Sequence, residues 1–262
     1  MQEPTVDIPR EEILTLQNKK VEKLIREFGV LPPSVQTLQE AIGIIEKGLP
    51  FTKSIDFEET EGMISSGRLK TNKDSGNGTE DITYASVVLN KGYGPVAVIL
   101  SPEVMQRGQF TGFCVDNLST YIQHRIKEEK LSRAQVMEEY TLTSEELKEM
   151  FAYCLASFTD KPPNIYYSIK EIEDKLRFLT FDIGLPYIDT RDIVRIYGKT
   201  GHSILTKEQY SSLAKLANTH NIPIEELYLP YTGVSNPHGN EIAERLTKEF
   251  LIPDKFKPAL KL

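Results

Sequence analysis

Apolar residues at the start of the chain recur at helical spacing. Ile13, Leu14, Leu16, Val21, Leu24 and Ile25 fall three and four positions apart, Pro9 suits a first turn, and Pro32 and Pro33 stop the run. A second helix is expected after Thr37, whose spacing to Glu40 is that of a capping box ahead of the apolar AIGII; Gly48 and Pro50 end it. From 51 to 116 the pattern changes to short apolar runs, YASVVL and PVAVIL, split by segments rich in glycine and asparagine, and this predicts strands. Between 117 and 229 the helical period returns, with capping spacings at Ser132/Gln135, Thr143/Glu146, Ser168/Glu171 and Thr206/Gln209. Four or five helices are expected there. A loop, PYTGVSNPHGN, then leads to a short helix and a final strand after Lys248.

Composition narrows the class. The 262 residues are 39% hydrophobic and 26% charged, which suits a globular core and excludes collagenous or wholly disordered chains. The net charge of −7, with its bases scattered, argues against a nucleic-acid partner, which needs a basic stripe to displace counterions from phosphates. Two cysteines, Cys114 and Cys154, lie in apolar surroundings, too few for a disulfide framework and consistent with a reducing compartment. No apolar run approaches the ~20 residues that span a bilayer, and the N-terminus lacks a basic-then-apolar signal, so neither a membrane span nor a cleaved leader is expected.

Most chemical motifs dissolve on inspection. Gly198-Lys199-Thr200 is the tail of a P-loop without its head, because the position five before the GK is Ile193 and not glycine; a turn between the strand DIVRIY and the next helix is expected instead. The glycines of 72–79 do not form a dinucleotide signature. Cys114 or Cys154 with His124, His202, His220 or His238 would supply a thiol–imidazole pair, yet no spacing selects one, and buried inert thiols are the plainer expectation. The four histidines are at least 18 residues apart, so zinc has no clustered ligands and no metal is expected. Acids such as Glu171, Glu173 and Asp174 break up the aromatic clusters around Tyr166-Tyr167 and Phe178–Phe181, which suits core packing better than base stacking. His238, amid Pro, Gly and Asn, is expected to sit in an exposed loop.

Three separated segments, in order, give the chain a likeness. FTKSIDFEETEGMISSGRLKT resembles the opening strand and helix of the ADP-ribosyltransferase superfamily of bacterial toxins and effectors, ITYASVVLNKGYGPVAVIL resembles its middle strands, and KEFLIPDKFKPALKL is similar to its closing segment. The resemblance implies an α+β fold with a split, mostly antiparallel sheet. Residues 1–50 would be an N-terminal helical cap, 51–116 the first part of the catalytic domain, 117–229 a helical insertion, and 230–262 the last part of the catalytic domain. It implies NAD as cofactor, a protein target in a host, and delivery by a dedicated secretion system. Cleaving the nicotinamide–ribose bond develops an oxocarbenium-like centre that a carboxylate holding a ribose hydroxyl stabilises. By the resemblance Glu249 takes that role, Tyr84 stacks on nicotinamide, Ser86 orients the glutamate, and Thr52, Lys53 and Arg68 hold the cofactor. The turn containing His238 would recognise the target. The alternative is a non-enzymatic effector or adaptor that binds a partner protein through its helices, foremost 131–155. A third reading is a thiol hydrolase or transglutaminase using Cys114 or Cys154.

Overall fold

The computed structural model describes residues 18–27, 30–70, 83–86, 94–108, 110–113, 125–160, 179–201, 204–229 and 237–256. Among the described residues the first two helices are α1 (Lys19–Glu27) and α2 (Val35–Lys47), and the periodic Val21, Leu24 and Ile25 are buried as expected. α2 starts earlier than the Thr37/Glu40 spacing suggests. Ser34, held extended after Pro32-Pro33, is the N-cap: its Oγ accepts from the Thr37 N–H at 3.3 Å, and Thr37 is drawn into the buried first turn. Gly48 closes the helix at φ 95°, where its N–H reaches the carbonyls of Ile44 and Ile45.

The remaining strands are β1 (Phe51–Ile55), β2 (Arg68–Leu69), β3 (Thr83–Ser86), β4 (Val96–Leu100), β5 (Phe110–Phe113), β6 (Leu179–Leu185), β7 (Ile188–Asp189), β8 (Ile193–Gly201) and β9 (Ile224–Leu229). Seven of them form one sheet in the order β5-β6-β3-β1-β4-β8-β9, antiparallel except for the β8/β9 pair, while β2 and β7 form a separate two-stranded ribbon. The protein is therefore mixed α/β with a mostly antiparallel sheet.

The helices α3 (Phe57–Ser66), α4 (Arg133–Tyr140), α5 (Ser144–Asp160), α6 (Lys207–Thr219) and α7 (Pro237–Glu249) complete the described architecture. Reciprocal side-chain caps at Ser132/Gln135, Thr143/Glu146 and Thr206/Gln209 open α4, α5 and α6, as their spacing predicts. Ser168/Glu171 and the aromatic cluster at 166–167 lie outside the described residues. The mainly helical expectation for 117–229 is corrected, because β6, β7 and β9 fall in that stretch beside β8, where the run DIVRIY reads as a strand. Their short apolar runs are buried on the sheet, where cross-strand packing outweighs helical spacing.

Alternation along the strands divides the sheet into two faces. Phe51, Ile55, Val96, Val98, Ala85 and Ile183 point to the first. Phe51 meets Phe151 of α5 at 6.4 Å between ring centroids, and Gly198 leaves room there for the Tyr210 ring of α6. α2 packs along α5 in a further layer, and α3 packs against α6. The second face carries Thr52, Tyr84, Ser86, Ala97, Ile99, Arg195, Tyr197 and Lys199, and α7 lies on it over β8 and β9.

The final strand expected after Lys248 does not form at 250–256. α7 runs to Glu249 because Ile242 and Leu246, four apart, bury one face of it. Leu251 then turns left-handed at φ 52°, with its N–H on Lys248 O at 3.2 Å and the Ile252 N–H on Thr247 O at 2.9 Å, and Pro253 follows. This is a Schellman ending built without glycine.

Candidate functional site

Register brings several expected site residues into line. Ser86 pairs with Thr52, Thr52 with Ile99, and Ile99 with Arg195, so one row crosses β3, β1, β4 and β8 on the second face. Tyr84 shares that face two residues along β3. Tyr84 and Thr52 are buried, and the Thr52 hydroxyl donates to Ser86 O at 3.2 Å.

Glu249 is placed on α7 rather than on a strand. Its Oε2 lies 3.2 Å from Arg195 Nη1, at the far end of the row from Ser86. Three strand spacings, roughly 14 Å, separate the Ser86 and Arg195 backbones. Arg195 is the polar partner of Glu249, so the implied hydrogen bond from Ser86 to Glu249 is not formed.

A carboxylate that the motif reading passed over joins Glu249. Glu225 Oε1 of β9 is also 3.2 Å from Arg195 Nη1, and Arg245 of α7 reaches Glu225 Oε2 at 2.9 Å. Arg195 and Arg245 both stand over the Tyr197 ring, 5.8 and 5.9 Å from its centroid, and Arg195 donates to the Tyr197 hydroxyl at 3.0 Å. That hydrogen bond is the largest cause holding the Arg195 guanidinium above its ordinary range. The only signal in the sequence was a strand-like run, IEELYL, with two adjacent acids.

The other expected cofactor residues lie elsewhere. Lys53 falls between Phe51 and Ile55 on the opposite face from Thr52. There it faces α3, where burial raises the Glu59 carboxyl and Lys53 partly offsets the shift. Arg68 belongs to the two-stranded ribbon, its Cζ 4.6 Å from the Tyr187 ring centroid. His238 sits in the first turn of α7 and not in a loop, since Pro237 at the first helical position has its φ already set for a helix.

The GKT segment is strand interior, not the expected turn. Gly198 makes room for Tyr210, Thr200 Oγ1 donates to Glu226 Oε1 at 2.6 Å, and Lys199 is buried with Nζ donating to Gly94 O at 2.8 Å. Burial lowers the Lys199 ammonium to about 8. Cys154 lies inside α5 and burial pushes its thiol far up, which removes it as a nucleophile. Cys114, His124 and His202 lie outside the described residues; His220 is the C-cap of α6. Leu147, Met150 and 151–157 of α5 are buried, whereas Ser132, Ala134, Gln135, Glu138, Thr141, Thr143 and Glu145 are exposed, so the surface that 131–155 presents lies on α4 and the start of α5.

Among the described residues no group of three His, Cys, Asp or Glu side chains is placed to hold a metal ion, and no helix is long and apolar enough to cross a membrane. No family model, curated protein or solved structure matches the chain.

Proposed function

We propose that the protein transfers ADP-ribose from NAD to a protein target, working on the second face of the sheet. The observation that carries this reading is the meeting of Glu225 and Glu249 at one guanidinium nitrogen, on the row that continues through Thr52 to Ser86. The two contacting oxygens are at most twice 3.2 Å apart. That upper bound reaches into the roughly 5–9 Å range over which carboxylate pairs cleave glycosidic bonds.

The hydroxyl-bearing groups on this face fit the ribose and nicotinamide end of the cofactor. Thr52 and Ser86 would hold hydroxyl or amide groups, and Tyr84 would offer a ring. NAD, when bound, supplies a glycosidic bond whose cleavage leaves positive charge on the ribose. Glu225 and Glu249 would place negative charge against that centre. Arg195 is the positioning residue, holding both carboxylates. Lys53 and Arg68 have no part in this arrangement, given their places in the fold.

The test is nicotinamide release and label transfer from NAD in a eukaryotic lysate, for wild type, Glu249→Ala and Glu225→Ala. Label on a discrete band with wild type, lost in either variant, supports the reading. Neither release nor transfer by folded wild type, in lysate that supports a known transferase, overturns it.

A second reading, partner binding without catalysis, is favoured by one surface. Leu251 is 86% exposed beside a groove of about 260 Å³ lined by Glu40, Gly43, Ile44, Lys47, Phe250 and Pro253. Loss of partner capture in Leu251→Asp, with Glu249→Ala unaffected, would favour it over the transferase.

A further inference from the structure

Three arginines far apart in the chain meet around one tyrosine. The Arg68 and Arg107 guanidinium carbons are each 4.6 Å from the Tyr187 ring centroid. Arg68 is the cross-strand neighbour of Asp189 in the β2/β7 ribbon, and Arg191 chelates that same Asp189 through Nε at 3.3 Å and Nη2 at 2.8 Å. Arg107, at the end of a 3₁₀ turn after β4, reaches Asp192 Oδ2 at 2.5 Å.

Clustered like charges repel unless something offsets them. Two carboxylates stand among the three guanidinium groups and both are committed. Asp189 is engaged by the side chain and the N–H of Arg191, and Asp192 by Arg107 and the Asp189 N–H. Among the described residues Arg68 has no carboxylate partner, so the cluster carries one surplus positive charge. It also holds unused donors. Arg107 Nε is buried without a hydrogen-bond partner, the Arg191 side chain is 88% exposed, and Arg68 is exposed.

We infer that Arg68, Arg107 and Arg191, gathered around Tyr187, form a binding site for a phosphate or diphosphate group of a small ligand. The guanidinium fork matches phosphate oxygens in pairs, and a dianion offers more to two exposed forks than a single carboxylate would. The frame is set before any ligand arrives. Asp189 and Asp192 cap the turn Thr190–Asp192 reciprocally, the Thr190 N–H is tied to Gly67 O at 3.0 Å, and the Ser101 N–H to Asp192 O at 2.8 Å. A preorganised site loses less entropy on binding. This site is independent of the transferase reading, whose polar row lies on the large sheet.

Calorimetric titration of the full chain with inorganic phosphate and with inorganic pyrophosphate, at low ionic strength and without NAD, tests the inference. One anion is expected to bind per chain, with affinity falling as salt rises. Arg68→Gln and Arg191→Gln, both exposed positions, are each expected to weaken binding about tenfold or more, while Lys207→Gln on α6 leaves it unchanged. Thermal melts confirm that the variants are folded. The stronger of the two probes identifies a monophosphate or a diphosphate group. No binding of either probe by wild type, or equal affinity in wild type and both arginine variants, overturns the site.

Discussion

Arg195 Nη1 stands 3.2 Å from Glu249 Oε2, joining the last residue of α7 to the interior of β8. The same nitrogen holds Glu225 of β9, so a helix, the edge strand and the strand beside it meet at one cation. Such a contact serves structure first. Its catalytic use is a proposal that stability and activity measurements separate.

Glu249→Ala is expected to cost little stability, up to about 1 kcal/mol, because the pair is partly exposed and Arg195 keeps Glu225. Nicotinamide release should nonetheless fall sharply. Urea unfolding beside an NAD-cleavage assay checks both. A large stability loss with no change in cleavage would make Glu249 a helix anchor and nothing more.

Lys199 makes stability depend on alkaline pH. Burial lowers its folded-state value to about 8 from an ordinary 10.5, so between these values the unfolded chain binds more protons than the folded one. Stability contributed by this group therefore rises with pH across that window, by about 3 kcal/mol in all. Below pH 8 the full cost of the buried ammonium is present. Urea midpoints of wild type and Lys199→Met from pH 7 to 11 should show the rise in wild type alone; equal slopes would contradict this.

Gly94 is a position where even a methyl group does not fit. A Cβ there would stand 2.6 Å from Ile55 O and 2.9 Å from Ile55 N, backbone atoms at the end of β1 that cannot rotate away. The Gly94 carbonyl also accepts from Lys199 Nζ. Gly94→Ala is expected to destabilise the fold by about 1–3 kcal/mol, read as a lower urea midpoint.

Cys154 should be silent towards iodoacetamide in the native state. Its thiol is 2% exposed and burial holds it protonated well above neutral pH. Peptide mapping is expected to find Cys154 alkylated only after denaturation. Rapid native labelling would reopen the thiol reading.

Caps were legible because they are local. Thr206 and Gln209, or Thr143 and Glu146, lie three residues apart, and that spacing alone closes the reciprocal bonds. The Thr37/Glu40 spacing misled because Ser34, whose N–H is also held by Asp160 Oδ2 at 2.6 Å, competes for the same turn. That contact spans 126 residues and leaves no trace in a local pattern.

The sequence by itself determined the starts of α4, α5 and α6, the burial of α1 and the strands at 51–55, 83–86 and 96–100, because periodicity and capping act over a few residues. Only the tertiary structure decided that 179–189 and 224–229 supply strands beside β8, that Lys53 turns away from Thr52, and that Glu225 and Glu249 converge on Arg195. It likewise brought Arg68, Arg107 and Arg191 together around Tyr187. Register and helix docking depend on which distant surfaces bury one another, and a one-residue shift in strand pairing would send Lys53, Arg195 and Glu225 to the other face of the sheet.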